Sequence, residues 1–197
     1  MIPEAVPEEQ VSWGYQDLVL FAFLGMLSVL ACQVLMAALT AALHIDPKNK
    51  AVVLLPTQLL LYGCLFAVLF AIIKLQYGRG FWQSLAWTDS VVRPGNAFLI
   101  GLAFAFLVGL LGALMHLPDL DTPIKRLLSH RGTALEFALI GITVGPLCEE
   151  LVFRGFVQPV LVRSLGRMAG ILITACLFGA LHLAQNSFIW QSGLLIT

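Results

Sequence analysis

Apolar positions in this chain run in long unbroken blocks, and short polar connections between the blocks collect most of the charge. A helix that spans a bilayer needs about 20 predominantly apolar residues. The first block that meets this runs from Leu18 to Leu43 and stops at the turn His44-Ile45-Asp46-Pro47-Lys48. The second runs from Ala51 to Ile73, with Pro56 tolerable near its start. A third covers Ala97 to Met115, a fourth starts near Ala134 and enters Gly145-Pro146, and a fifth covers about Ala169 to Ala184. Between the second and third, Phe81, Trp82 and Trp87 stand near Lys74 and Arg79, which predicts a short interfacial segment at headgroup level. Apolar residues resume from Ser187 to Thr197, about half the length a span requires. The pattern predicts an all-α, polytopic transmembrane helical bundle of five complete spans and a partial sixth. Residues 1–197 form one transmembrane domain in this reading, and the chain looks cut short at its C-terminal end.

Composition agrees with the pattern. The 197 residues are 59% hydrophobic and 11% charged, against about 25% charged in soluble domains, and the mean hydropathy is +0.92. The expectation is a multi-pass integral membrane protein of a bacterial plasma membrane, with membrane lipids among its partners. Net charge is zero, so no bulk charge points to nucleic acid. Met1 to Gln10 carries Glu4, Glu8 and Glu9 and no basic residue, unlike the start of a secretory signal, so the first block reads as a retained span. Lys and Arg divide evenly between the two sets of connections, and the positive-inside rule gives no orientation. Cys32, Cys64, Cys148 and Cys176 are scattered singly and read as small buried hydrophobes rather than a zinc knuckle or a disulfide framework.

The exception to the apolar pattern is Pro146-Leu147-Cys148-Glu149-Glu150-Leu151-Val152-Phe153-Arg154-Gly155. Charged side chains near bilayer depth are costly, about 2.5–3.5 kcal/mol each on insertion scales, and usually mark function. Glu150 and Arg154 are four residues apart, which puts them on one helical face about 6 Å apart along the axis. A two-point contact from the guanidinium would keep Glu150 ionised and fix its rotamer. Glu149 is rotated from Glu150 by about 100°, so it faces elsewhere and is available as a general base. Neighbouring carboxylates in a poorly solvated site resist ionising together, a setting suited to water activation.

His182 joins this group by register. The turn Arg163-Ser164-Leu165-Gly166-Arg167 lies midway between Glu150 and His182, so helices running antiparallel from it return His182 to the depth of the carboxylates. Pro159 is expected to break the outgoing helix and shift that register. Phe178, one turn before His182, could close the site, although a core role is the plainer reading of a single phenylalanine. A structural reading also exists for the polar set: a Glu–Arg pair and an intramembrane His can lock helices together. His44, His116 and His130 sit at span ends or in connections and read as solvated. Gly141 and Gly145 have the small-xxx-small spacing of packed membrane helices. No zincin pattern H-E-x-x-H and no G-x-S-x-G elbow occurs. Every Asp lies in a connection or at a span edge, so a paired-aspartate protease is not indicated.

At these residues the sequence resembles the CPBP family, which includes CAAX prenyl protease 2 and the Abi proteins. The family motif E-E-x-x-x-R is matched by Glu149, Glu150 and Arg154, and its second motif, F-x-x-x-H, by Phe178 and His182, all within residues 134–186. The resemblance implies a membrane endopeptidase acting on membrane-associated, prenylated CAAX-type substrates. In that scheme Glu149 and His182 hold and activate the attacking water, Glu150 and Arg154 support the geometry or bind substrate, and Phe178 contacts substrate. Members are commonly described as metalloproteases, which makes Glu149 and His182 the candidate ligands of a divalent metal such as zinc; water activation without a metal is the other reading. A later H-x-x-x-N/D-like motif of the family is expected beyond Thr197, and a chain without it is expected to be weak or inactive. The rivals are a non-catalytic immunity or scaffold protein of the same architecture and a proton-coupled transporter. The transporter lacks the repeated halves it would need.

Overall fold

The computed structural model describes residues 11–45, 50–87, 92–115 and 131–185, and among these it is helical with no strand. Helix α1 is Tyr15–Ala42, α2 is Lys50–Phe70, α3 is the single turn Phe81–Ser84 and α4 is Pro94–Leu114. After the next undescribed stretch come α5 (Arg131–Ile142), α6 (Val144–Glu150), α7 (Gln158–Leu165) and α8 (Arg167–Gln185). Two π-helical segments interrupt the regular ladder, Ala71–Gln76 after α2 and Leu151–Val157 between α6 and α7.

Among the described residues, three stretches are long and apolar enough to cross a membrane: Tyr15–Ala42, Val53–Gln76 and Pro94–Leu114. They correspond to the first three predicted spans. The fourth predicted span is two helices in series, because the helix breaks at Thr143 before Gly145-Pro146. The fifth is α8, whose apolar stretch Arg167–Leu183 is shorter than the other three. The described helices thus do not add up to five full spans, and the partial sixth, with Met1 to Gln10 and the connection holding His116 and His130, lies outside the described residues.

Local chemistry explains the ends that matter for the site. Gly14 is extended ahead of α1, and the Asp17 carboxylate reaches back to accept the Gly14 N–H at 2.9 Å, occupying one of the donors that a helix start leaves open. The break expected at Pro159 takes a milder form. The chain stays helical through a wide π turn, and the proline falls in the first turn of α7, where its missing N–H costs little. Gly166 ends α7 with φ +83°, a left-handed backbone conformation that favours glycine. Helix α8 then packs back on α7 so closely that a Cβ at Gly170 would stand 2.5 Å from the Val162 nitrogen.

The buried core joins the first described residues to the helices around the charged motif. Trp13, Phe21, Leu69, Ile73, Phe81, Leu85, Leu151, Phe156 and Val160 pack together. Trp13 stacks on Phe156 with centroids 5.4 Å apart, and its indole N–H donates to the Phe156 carbonyl at 2.8 Å. The Arg163 guanidinium donates to the Val11 and Trp13 carbonyls at 2.8 and 2.9 Å. Tyr15 also hydrogen-bonds Ser164. Buried Asp17 accepts from the Gln76 amide at 2.9 Å and the Tyr77 hydroxyl at 2.7 Å. Residues 11–17 therefore tie the end of α2 to the helices that carry the charged motif.

Candidate active site

Glu149 and Glu150 close α6, Arg154 lies in the π-helical segment that follows, and Phe178 and His182 share one face of α8. The Gly166 turn brings the second pair against the first, as the register argument expected. His182 Nε2 lies 3.7 Å from Glu149 Oε1, with the Glu149 side chain 34% exposed and that of His182 20% exposed. On the other ring nitrogen, His182 Nδ1 is 3.0 Å from the Phe178 carbonyl oxygen. A carbonyl only accepts, so this bond needs the proton on Nδ1. It turns Nε2 toward the carboxylate.

Glu150 pairs instead with Arg154. Arg154 Nη1 donates to Glu150 Oε1 at 2.9 Å, a single hydrogen bond where a two-point contact was expected. The Arg154 side chain is 73% exposed and that of Glu150 is 45% exposed, so the pair is not sealed inside the described helices. The one-turn separation of the carboxylate and guanidinium survives the π-helical segment between them.

A cavity of about 240 Å³ opens beside these groups, lined by Pro146, Glu149, Glu150, Phe153, Arg154, Gln158, Thr174 and Phe178. Its aromatic wall is built from Phe153 and Phe178, packed edge to face with centroids 5.0 Å apart. The Phe178 ring in turn lies 4.4 Å from the His182 ring. Glu149 and Phe178 both line the cavity and contact His182. Two polar lining residues, Gln158 and Thr174, were not singled out from sequence. Thr174 is buried and donates its hydroxyl to the Gly170 carbonyl at 2.8 Å. Tyr62 of α2 was also missed: its hydroxyl rests against Gly145, one turn before Glu149, where a Cβ would stand 3.2 Å away. Gly145 thus acts as the packing position that its spacing suggested, while a Cβ on Gly141 would meet nothing within 4 Å.

Residues 131–197 match a family model described as type II CAAX prenyl endopeptidase Rce1-like. The matched stretch contains all five residues singled out from sequence, and it supports the resemblance to CAAX-type proteases drawn from the two motifs. No curated protein and no solved structure matches the chain.

The residues present offer little to a metal. A catalytic zinc normally takes three protein ligands. Among the described residues no three His, Cys, Asp or Glu side chains are grouped to hold one. Glu149 and His182 supply two donors, and the carboxylate next to them is engaged by Arg154.

Proposed function

We propose that this protein is an intramembrane endopeptidase that cleaves membrane-associated, CAAX-type peptides with water activated between Glu149 and His182. The observation that carries the reading is the 3.7 Å approach of His182 Nε2 to Glu149 beside a cavity, in a stretch that matches a CAAX endopeptidase family model. A water touching both groups can give one proton to the Glu149 carboxylate while its other O–H donates to Nε2. The oxygen so activated attacks the peptide carbonyl carbon, and the C–N bond breaks as Glu149 returns its proton to the departing amine. His182 keeps its Nδ1 proton on the Phe178 carbonyl throughout, so its acceptor side stays aimed at the water.

Glu150 and Arg154 play a supporting part, holding the end of α6 and the π-helical segment in register beside the cavity. Phe178 packs the histidine and offers an apolar face to substrate. We route no step through a metal, because the described donor set is one ligand short. Divalent zinc bound through Glu149 and His182 is the alternative for the same two donors, and dialysis against 1,10-phenanthroline separates the two. Unchanged cleavage after zinc is removed favours the metal-free route, and loss restored by added zinc favours the other.

The test of the function is Glu149→Gln in full-length protein, reconstituted in vesicles with a prenylated or membrane-tethered fluorogenic peptide. Loss of a general base predicts a fall of about 10²–10⁴-fold in kcat with the fold intact. Undiminished cleavage by this variant would sink the assignment of this site, and absence of cleavage by the unaltered protein would favour the scaffold reading.

A further inference from the structure

Three polar contacts around the cavity are internal: Glu149 with His182, Glu150 with Arg154, and Thr174 with the Gly170 carbonyl. Gln158 differs. It lines the same cavity one turn beyond Arg154, at the first position of α7. It is partly buried, yet its side-chain amide has no hydrogen-bond partner among the described residues. A partly exposed amide is open to hydrogen-bond whatever enters the cavity, water or ligand. The Gln158 amide is not among the fully occluded, unsatisfied atoms, so the space it opens onto is the cavity.

A primary amide carries an acceptor and two donors side by side. In an extended peptide, the N–H and C=O of one residue lie on the same edge of the chain and form just such a pair. The cavity volume of about 240 Å³ exceeds that of an engineered cavity of about 150 Å³ that accepts benzene. It holds a short piece of peptide backbone, with Phe153 and Phe178 as an apolar wall.

We propose that Gln158 is a substrate-binding residue that hydrogen-bonds the main chain of an extended peptide laid along the cavity between Arg154 and Thr174. Recognition at this point reads the peptide backbone rather than a side chain, so it is insensitive to substrate sequence at the residue it holds. The inference rests on the endopeptidase reading above, because it takes the cavity beside Glu149 as the place where the peptide lies.

The experiment compares a tethered peptide with a set in which single backbone N–H groups on either side of the cleavage site are replaced by ester oxygens. With unaltered Gln158, one replacement should lower kcat/KM about 5- to 10-fold, the effect of one hydrogen bond. In Gln158→Ala the unmodified peptide should lose a similar factor, mainly in KM, and that same replacement should cost nothing more. Gln158→Met, close in size but without the amide's acceptor and donors, serves as the second variant where alanine disturbs the fold. Equal sensitivity to every ester in wild type and both variants overturns the proposal. Binding of the same peptides to Glu149→Gln protein is measured in parallel. A Gln158-dependent ester effect on binding, with no cleavage by wild type, sinks the endopeptidase reading and leaves this one standing. Cleavage by wild type with no such effect sinks this one alone.

Discussion

At the scale of single residues, the Glu150–Arg154 pair shows how exposure decides between stability and function. Exposed ion pairs are worth about 0–1 kcal/mol, and this one joins side chains 45% and 73% exposed through a single 2.9 Å hydrogen bond. Arg154→Ala should therefore move the detergent unfolding midpoint little. Its effect should fall on cleavage, by about 10- to 100-fold, since it loosens the α6 end that aims Glu149. A variant that unfolds early and cleaves normally would make the pair purely structural. The charged residues were legible in the sequence because each is anomalous in an apolar run. Gln158 and Thr174 were not, since a glutamine before a proline and a threonine among leucines violate no pattern. Only the folding of α8 onto α7 puts them on one cavity.

Elements hold these residues in place through two devices. The first is the Gly170 contact: an added Cβ would lie 2.5–2.7 Å from Val162 backbone and side-chain atoms, so α8 must move to accept one. Gly170→Leu should destabilise the protein by about 1–3 kcal/mol through overpacking. It should also cut activity by withdrawing His182 from Glu149, read as a drop in kcat with peptide binding retained. The second device is the strap formed by residues 11–17. Arg163→Gln removes charged donors from the Val11 and Trp13 carbonyls, worth about 1.5–3 kcal/mol each, and should make the N-terminal segment accessible to protease before the rest of the protein unfolds. The same strap has a pH dependence. The Asp17 hydrogen bond, then burial, push the Tyr77 phenol above its ordinary value of 10.0. A raised folded value means that its contribution is complete below about pH 10 and is lost as pH rises through the folded value. Alkaline loosening of the segment, followed by Trp13 fluorescence, should be absent in Tyr77→Phe. None of the strap was legible beforehand, because its bonds join residues 59 to 152 positions apart. The Gly166 turn was legible, because glycine between basic residues at the midpoint of two motifs has few other uses.

For the whole molecule, the pattern of apolar blocks located the first three long helices to within about a turn, since length and apolarity alone determine them. It missed the interruption at Thr143 and the π-helical segments, which depend on packing against α2 and the strap. It also left open which helix faces meet lipid and which meet water, and the cysteines can answer that. Cys32 is buried and Cys176 exposed. Cys176 lies two residues beyond Thr174, which faces the cavity, so it occupies a different side of α8. A charged reagent reaches a thiol from water and not from lipid. In intact vesicles Cys176 should resist a charged methanethiosulfonate reagent, and it should react once the membrane is dissolved in denaturing detergent. A cysteine placed on the cavity wall by Phe153→Cys should be modified in intact vesicles, and a membrane-bound peptide should protect it. Rapid modification of Cys176 in intact vesicles would instead mean that the far side of α8 is wet, and that the hydrolytic water enters between helices rather than through the cavity.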